Sequence, residues 1–401
     1  MKYRPKLSGC LFTIFFFAIG ILIALPTGNA SDSIVVGVLH SEKFPYATMM
    51  KNSFEMALTV INEEGGIKGQ PLKLVYGNDQ GIPKTGEKIA KELVKKSGAI
   101  ILVGVYQSSN ALYMARIADK LDTPLLVCTA ADDRVTQRKW RNVYRLNAPA
   151  SEYAKGLEDF LLKMIKPKSM AVIYENSPYG TGGALRMMWF CRENDIDLCG
   201  IEPYHKERLN PDYFKRIVNR VKEAAPDVVY MVSYLNDAAL LTKTIKASKI
   251  NSLLCGGAGG FTHKKFTEKT GDVSNHLLTA TLWTHQLSYP GTNEYYNAYI
   301  NLFSAPPDYH GAEAYSALLV VADALKRAES FRPESIRSAL ESTDMVTPFG
   351  PVNFKSYEKY ERQNSLPTQV LQIVNGEFEC VWPEDLSTAK FVRPSDWRGS
   401  D

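Results

Sequence analysis

The 401-residue chain has a single long apolar run, Leu11–Leu25. With no second run, it is not a polytopic membrane protein, because each membrane crossing needs about 20 consecutive apolar residues. Cysteine is scarce, at six residues, and no CxxC occurs, so neither a zinc ribbon nor a redox pair can be built. The six histidines form no ligand-spaced pair. GxSxG, HExxH and GxxxxGK[ST] are all missing, which removes the common hydrolase, metalloprotease and nucleotide-phosphate signatures. A net charge of +4 without a clustered basic face gives no reason to expect a nucleic-acid partner. No cofactor is expected.

Residues 1–30 read as a signal peptide: Lys2, Arg4 and Lys6, then the apolar run, then Gly28-Asn29-Ala30 as a small-x-small cleavage site. The alternative is an uncleaved anchor. Cleavage leaves 44 basic against 43 acidic residues, about +1. The location would be periplasmic or secreted. Five cysteines would remain, of which Cys191 and Cys199 are the best disulfide candidates in an oxidising compartment, with buried inert thiols as the alternative.

What is present is an alternation of buried strands and amphipathic helices. Branched apolar runs at Ser33–His40, Leu72–Tyr76, Ile100–Val103 and Leu125–Cys128 alternate with helical stretches. Gly65-Gly66 stops the first helix. A second series begins near Glu152 and runs through strands at Ser169–Tyr174, Leu198–Tyr204, Asp227–Ser233 and Ser252–Cys255. Asn375-Gly376 predicts a hairpin turn. The fold class is therefore α/β, as two doubly wound parallel-sheet lobes.

Ile100–Asp132 is the organising stretch. Ser108, Ser109 and Asn110 follow one strand where a helix begins, and Thr129-Ala130-Ala131-Asp132 follow the next. These residues either cap a helix or line the crevice at the carboxyl ends of the strands, where open α/β sheets bind ligands. Gly180-Thr181-Gly182-Gly183 and Gly256-Gly257-Ala258-Gly259-Gly260 fail the dinucleotide spacing and read as turns that permit close backbone approach.

Several stretches in this order resemble the periplasmic leucine/isoleucine/valine-binding protein family, the type I solute receptors of ABC importers. They are Ile61-Asn62-Glu63-Glu64-Gly65-Gly66-Ile67-Lys68-Gly69; Val103-Gly104 with Ser108-Ser109; Pro124-Leu125-Leu126 leading to Thr129-Ala130-Ala131; Tyr179-Gly180; His310–Arg327; and Thr347–Phe354. The resemblance implies two lobes joined by three crossings, near 147–151, 275–282 and 349–354. Lobe one would be 33–148 plus 284–348, lobe two 150–276 plus 352–383, and 384–401 a tail. It implies a small amino-acid-like or carboxylate ligand, an amide among the possibilities, bound in the cleft with hinge closure. An ABC permease in the inner membrane would be the partner, and there would be no catalysis. A sensory subunit of a signalling complex and an α/β hydrolase or transferase are the alternatives.

By resemblance, Ser108 would bond a ligand carboxylate with its hydroxyl and the helix-start N–H groups, Ser109 beside it is a further ligand-binding candidate, and Ala130 would offer a carbonyl to an ammonium. Tyr46 would pack on the ligand side chain, and from lobe two Tyr179 and Tyr234 would close over the ligand. The family's usual acidic residue near 257–258 is replaced here by glycine and alanine, so Asp132 would have to supply that charge, unless the ligand lacks an amine. Tyr106 and Trp283 are further candidates for an aromatic wall.

Overall fold

The computed structural model describes residues 33–395 and 397, apart from residue 209. The signal-peptide reading lies outside the described residues.

The first sheet is built on β1 (Ile34–His40), β2 (Leu72–Asn78), β3 (Ile101–Gly104), β4 (Leu125–Val127) and β5 (Val143–Arg145), and the second on β6 (Ser169–Glu175), β7 (Asp197–Tyr204), β8 (Val228–Val232), β9 (Leu253–Gly256) and β10 (Leu278–Thr281). In each sheet these five strands are parallel, in the orders β2-β1-β3-β4-β5 and β7-β6-β8-β9-β10. One topology is thus used twice. The central strands are buried on both faces under flanking helices, which is why they read as unbroken apolar runs. The strand order reverses between β1 and β3 and again between β6 and β8, so each sheet has a crevice beyond the carboxyl ends of that pair.

After β10 the chain returns to the first lobe, where the helix Tyr309–Arg327 packs on the helix Ala47–Glu63. A two-stranded ribbon follows, β11 (Asp344–Thr347) with β12 (Gly350–Asn353). Then β13 (Lys355–Tyr357) and β14 (Tyr360–Gln363) extend the first sheet beside β5. Finally β15 (Gln369–Val374) and β16 (Glu377–Trp382) extend the second sheet beside β10. The sequence reading placed 352–383 in lobe two, and the strand pairing corrects this: the third crossing is the segment 364–368, not 349–354. Here Asn364 ties the segment to the first lobe, its side chain accepting from Asn353 N and donating to Leu146 O.

Local expectations mostly stand. Gly65 and Gly66 stop the first helix at φ +95° and +69°, and Gly66 N–H closes on Ile61 O at 2.9 Å. Asn375 and Gly376, at φ +53° and +82°, turn the β15–β16 hairpin. Gly180–Gly183 form no turn. They lie in the first turns of the helix Pro178–Glu193, capped by Ser177. The close approach expected of them does occur, since a Cβ on Gly180 would stand 1.8 Å from Glu175 O.

All five cysteines among the described residues are free thiols, Cys191 and Cys199 included. Cys199 is the extra residue of a bulge where β7 passes β6 at Met170, and both thiols rest on Met170. The tail beyond 383 packs back on the second lobe, with Trp397 Nε1 donating to Asp227 O at 2.9 Å.

Candidate interlobe binding site

The two crevices meet face to face. From the first lobe come Tyr106 and Ser108 after β3, Thr129 and Ala131 after β4, and Tyr309 and His310 from the start of their helix, with Tyr46 after β1 stacked on His310 off the wall itself. The second lobe contributes Tyr179 after β6, Tyr234 after β8 and Gly259 after β9, with Tyr153 from the first crossing. Together they enclose a cavity of about 20 Å³, space for little more than one water molecule.

Direct bonds hold the lobes closed. Tyr46 Oη donates to Gly259 O at 2.9 Å, and Gly259 N–H donates to Tyr309 Oη at 3.2 Å. Within the second lobe, Tyr179 Oη donates to Gly257 O at 2.9 Å. Gly259 has φ +55°, and a Cβ there would meet Tyr179 Oη at 2.2 Å, so the glycine-rich loop lets the rings come this close. Burial raises the pKa of Tyr46, Tyr106, Tyr153, Tyr179, Tyr234 and Tyr309, so all six phenols remain neutral hydrogen-bonding groups.

His310 is sandwiched between Tyr46 and Tyr309, with ring centroids 3.9 and 4.0 Å away. Its Nδ1 lies 3.0 Å from Asp308 Oδ1, and the same oxygen accepts from His310 N–H. Burial works against the Asp308 carboxylate, yet the His310 and His263 imidazoles outweigh it and hold its pKa below the usual range. Burial pushes the His263 imidazole down, although Asp308 opposes this.

Of the residues expected at the site, Tyr46, Ser108, Tyr179 and Tyr234 come together here. Ser108 is not an N-cap. It opens the helix Ser108–Lys120, and its Oγ accepts from Ala131 N–H at 3.1 Å, joining the ends of β3 and β4. Ser109 is half-buried and off the cavity wall. Ala130 is fully buried among apolar side chains beneath the sheet, and Ala131 takes the cavity position.

Asp132 is elsewhere. Its carboxylate is buried and held by Arg134 Nε at 3.0 Å, Nη2 at 2.7 Å and N–H at 3.0 Å. It borders an outer chamber of about 470 Å³, with Ser151, Thr181, Trp189 and Tyr360. Trp283 also lies outside the wall, its Nε1 donating to Pro348 O at 2.8 Å. Sequence reasoning missed Tyr153, Tyr309, His310 and Gly259. The one available signal was Asp308, an N-cap that announces where Tyr309 and His310 begin their helix.

Residues 33–377 match the periplasmic binding protein family. The chain belongs to this family. Among curated periplasmic binding relatives, Leu/Ile/Val-binding protein homolog 7 of Brucella suis is 26% identical over 387 residues, covering 91% of this chain and 95% of that protein. Among solved structures, the substrate-binding protein LivJ of Streptococcus pneumoniae, in complex with isoleucine, superposes with a TM-score of 0.78 at 19% identity, covering 90% of this chain and all of that one. A solute-binding protein of Rhodopseudomonas palustris in complex with 3,4-dihydroxybenzoic acid superposes at 0.75 with 17% identity, covering 86% and 95%. These relatives share the two-lobe periplasmic binding fold described above.

No helix among the described residues is long and apolar enough to cross a membrane, and no group of three or more His, Cys, Asp or Glu among them could hold a metal ion.

Proposed function

We propose that this chain is the extracytoplasmic solute-binding subunit of an ABC importer, and that its ligand is a small carboxylate or amide without an ammonium group. The observation that carries the ligand class is the chemistry of the cavity wall. It consists of hydroxyls, flat tyrosine faces and one imidazole, with no acidic side chain among the described lining residues. A buried ammonium would need such a partner. The nearest expected one, Asp132, is already engaged by Arg134.

The family supports the importer role, and its permease would recognise the closed form. Solved neighbours bind both an amino acid and an aromatic acid, so the shared fold accommodates either class. Ser108 Oγ, Ala131 N–H and the phenols would hold the planar polar group of the ligand, while the lobes close around it. The role is binding rather than turnover.

The test is a melting-curve screen against short amides, aliphatic and aromatic acids, and branched-chain amino acids. A ligand at 100 times its dissociation constant stabilises by about 2.7 kcal/mol. Hits confined to α-amino acids would overturn the ligand class.

A further inference from the structure

Glu313 is fully buried on the helix Tyr309–Arg327, and its carboxyl oxygens make no well-formed hydrogen bond, with the Thr129 hydroxyl close by. It follows Tyr309 by four residues and His310 by three, so it shares their face of the helix one turn deeper, about 5–6 Å behind the cavity wall. Three residues of that wall, Thr129, Tyr153 and Tyr309, are also its neighbours. The ionisable groups around it are Asp308 at the start of its own helix, Cys128 at the end of β4, Tyr153 from the first crossing and Tyr309. Together with these stands His310, three residues earlier on the same face, whose imidazole alone among them can carry a positive charge. Burial, reinforced by Asp308, raises the Glu313 pKa well above the carboxylate range, against an opposing pull from the Thr129 hydroxyl. Burial thus favours the protonated acid, which has one donor and one acceptor side by side.

A buried polar group with no well-formed hydrogen bond is costly, and beside a ligand cavity its donor and acceptor amount to an unfilled recognition face. A primary amide is the complement of that face, because its C=O accepts from the acid O–H while its N–H donates to the acid carbonyl. We infer that Glu313 reads the ligand, pairing with the primary-amide face of a small amide that displaces the Tyr153 hydroxyl as it binds. The inference rests on the interlobe cavity being the ligand site, and it narrows the ligand from carboxylate or amide to amide. It also gives this chain an acid-based specificity element on the first lobe, at a position unrelated to the glycine-rich loop.

The test is calorimetry with propionamide and its isostere propionate on wild type, Glu313→Gln, Glu313→Leu and Ser108→Ala. Propionamide is expected to bind wild type about tenfold more tightly than propionate, the size of one well-made hydrogen bond. Gln also presents a donor beside an acceptor, so Glu313→Gln should hold propionamide within about threefold, whereas Glu313→Leu should lose about tenfold. The binding heat in wild type should be the same in phosphate and Tris buffers, because no proton is released.

If Ser108→Ala weakens propionamide while both Glu313 variants leave it unchanged, the cavity is the site and the Glu313 inference is overturned. Loss in Glu313→Gln equal to that in Glu313→Leu, with one proton released on binding, would make Glu313 an ionised partner and also overturn it. If neither probe binds, or none of the three substitutions changes binding, the site reading itself fails.

Discussion

The hydroxyl of Tyr46, in the first lobe, donates to the backbone carbonyl of Gly259, in the second, across a buried 2.9 Å contact. This bond exists only while the lobes are together. Tyr46→Phe keeps the ring stacked on His310 and removes only the donor, leaving the buried Gly259 carbonyl with the Thr262 hydroxyl at 3.3 Å. The substitution should weaken ligand binding by about 1 kcal/mol, roughly fivefold, with little change in folding stability. Calorimetry alongside a melting curve separates the two effects. Equal affinity would mean that the bond is not part of closure.

Gly259 offers a sharper test from the other side. Its φ of +55° is unfavourable for a side chain, and a Cβ would stand 2.2 Å from Tyr179 Oη. Gly259→Ala should therefore cost about 1–2 kcal/mol from the backbone alone, and it should push Tyr179 off the Gly257 carbonyl. Small-angle scattering of Gly259→Ala with saturating ligand is expected to show the open radius of gyration. A compact, wild-type profile would contradict the packing described.

Ser108 binds Ala131 N–H rather than capping its helix. Ser108→Ala leaves that amide unpartnered and removes a hydroxyl from the cavity wall, so affinity should fall by about 1–3 kcal/mol. A drop in melting temperature with unchanged affinity would assign Ser108 to joining the strand ends alone.

A pH dependence follows from Asp237. Burial, helped by the nearby Glu175 carboxylate, raises its pKa to about 6, despite the Tyr204 hydroxyl that donates to it. Burial raises the Glu175 carboxyl as well. A folded-state pKa above the unfolded value of about 4 means that the native protein binds more protons. Stability therefore falls as pH rises from about 4 to 6, and the deficit persists above that range. Asp237→Asn should stabilise the protein at pH 7 by on the order of 2 kcal/mol and should flatten that slope. Denaturant melts at pH 4.5 and 7 check the sign, and a variant less stable than wild type at pH 7 would refute it.

Cys191 and Cys199 lie against Met170 as thiols. Burial pushes Cys191 up to about 12 and raises Cys199 too, so little thiolate forms near neutrality. Native alkylation of both should be slow, and reductant should not move the melting temperature. A reductant-dependent melt would reveal a disulfide.

The parallel strands were legible because burial on both faces imposes continuous branched apolar runs, as at Ile101–Val103 and Val228–Val232. The late hairpin was legible because Asn375-Gly376 suits left-handed turn geometry. The sheet to which β13 and β14 belong was not, because Lys355–Tyr357 and Tyr360–Gln363 are short polar strands at one end of the sheet whose partner is chosen by tertiary contacts such as Gln363 with Arg145. Ser108 was legible from the end of its strand, whereas Tyr46, Tyr179 and Tyr234 came only through the family resemblance. Asp132 misled because its neighbour Arg134 folds back onto it, a pairing that depends on side-chain direction. Tyr309, His310 and Glu313 were hidden because they follow no strand and read as an ordinary amphipathic helix start.

The most direct test of the ligand-site account is calorimetry on protein unfolded and refolded to strip any carried-over ligand, titrated with propionamide, propionate, benzoate and leucine. The account predicts saturable binding among the first three and none for leucine, because the cavity wall offers no acidic side chain to an ammonium. Tight leucine binding with silence from the other three would contradict it.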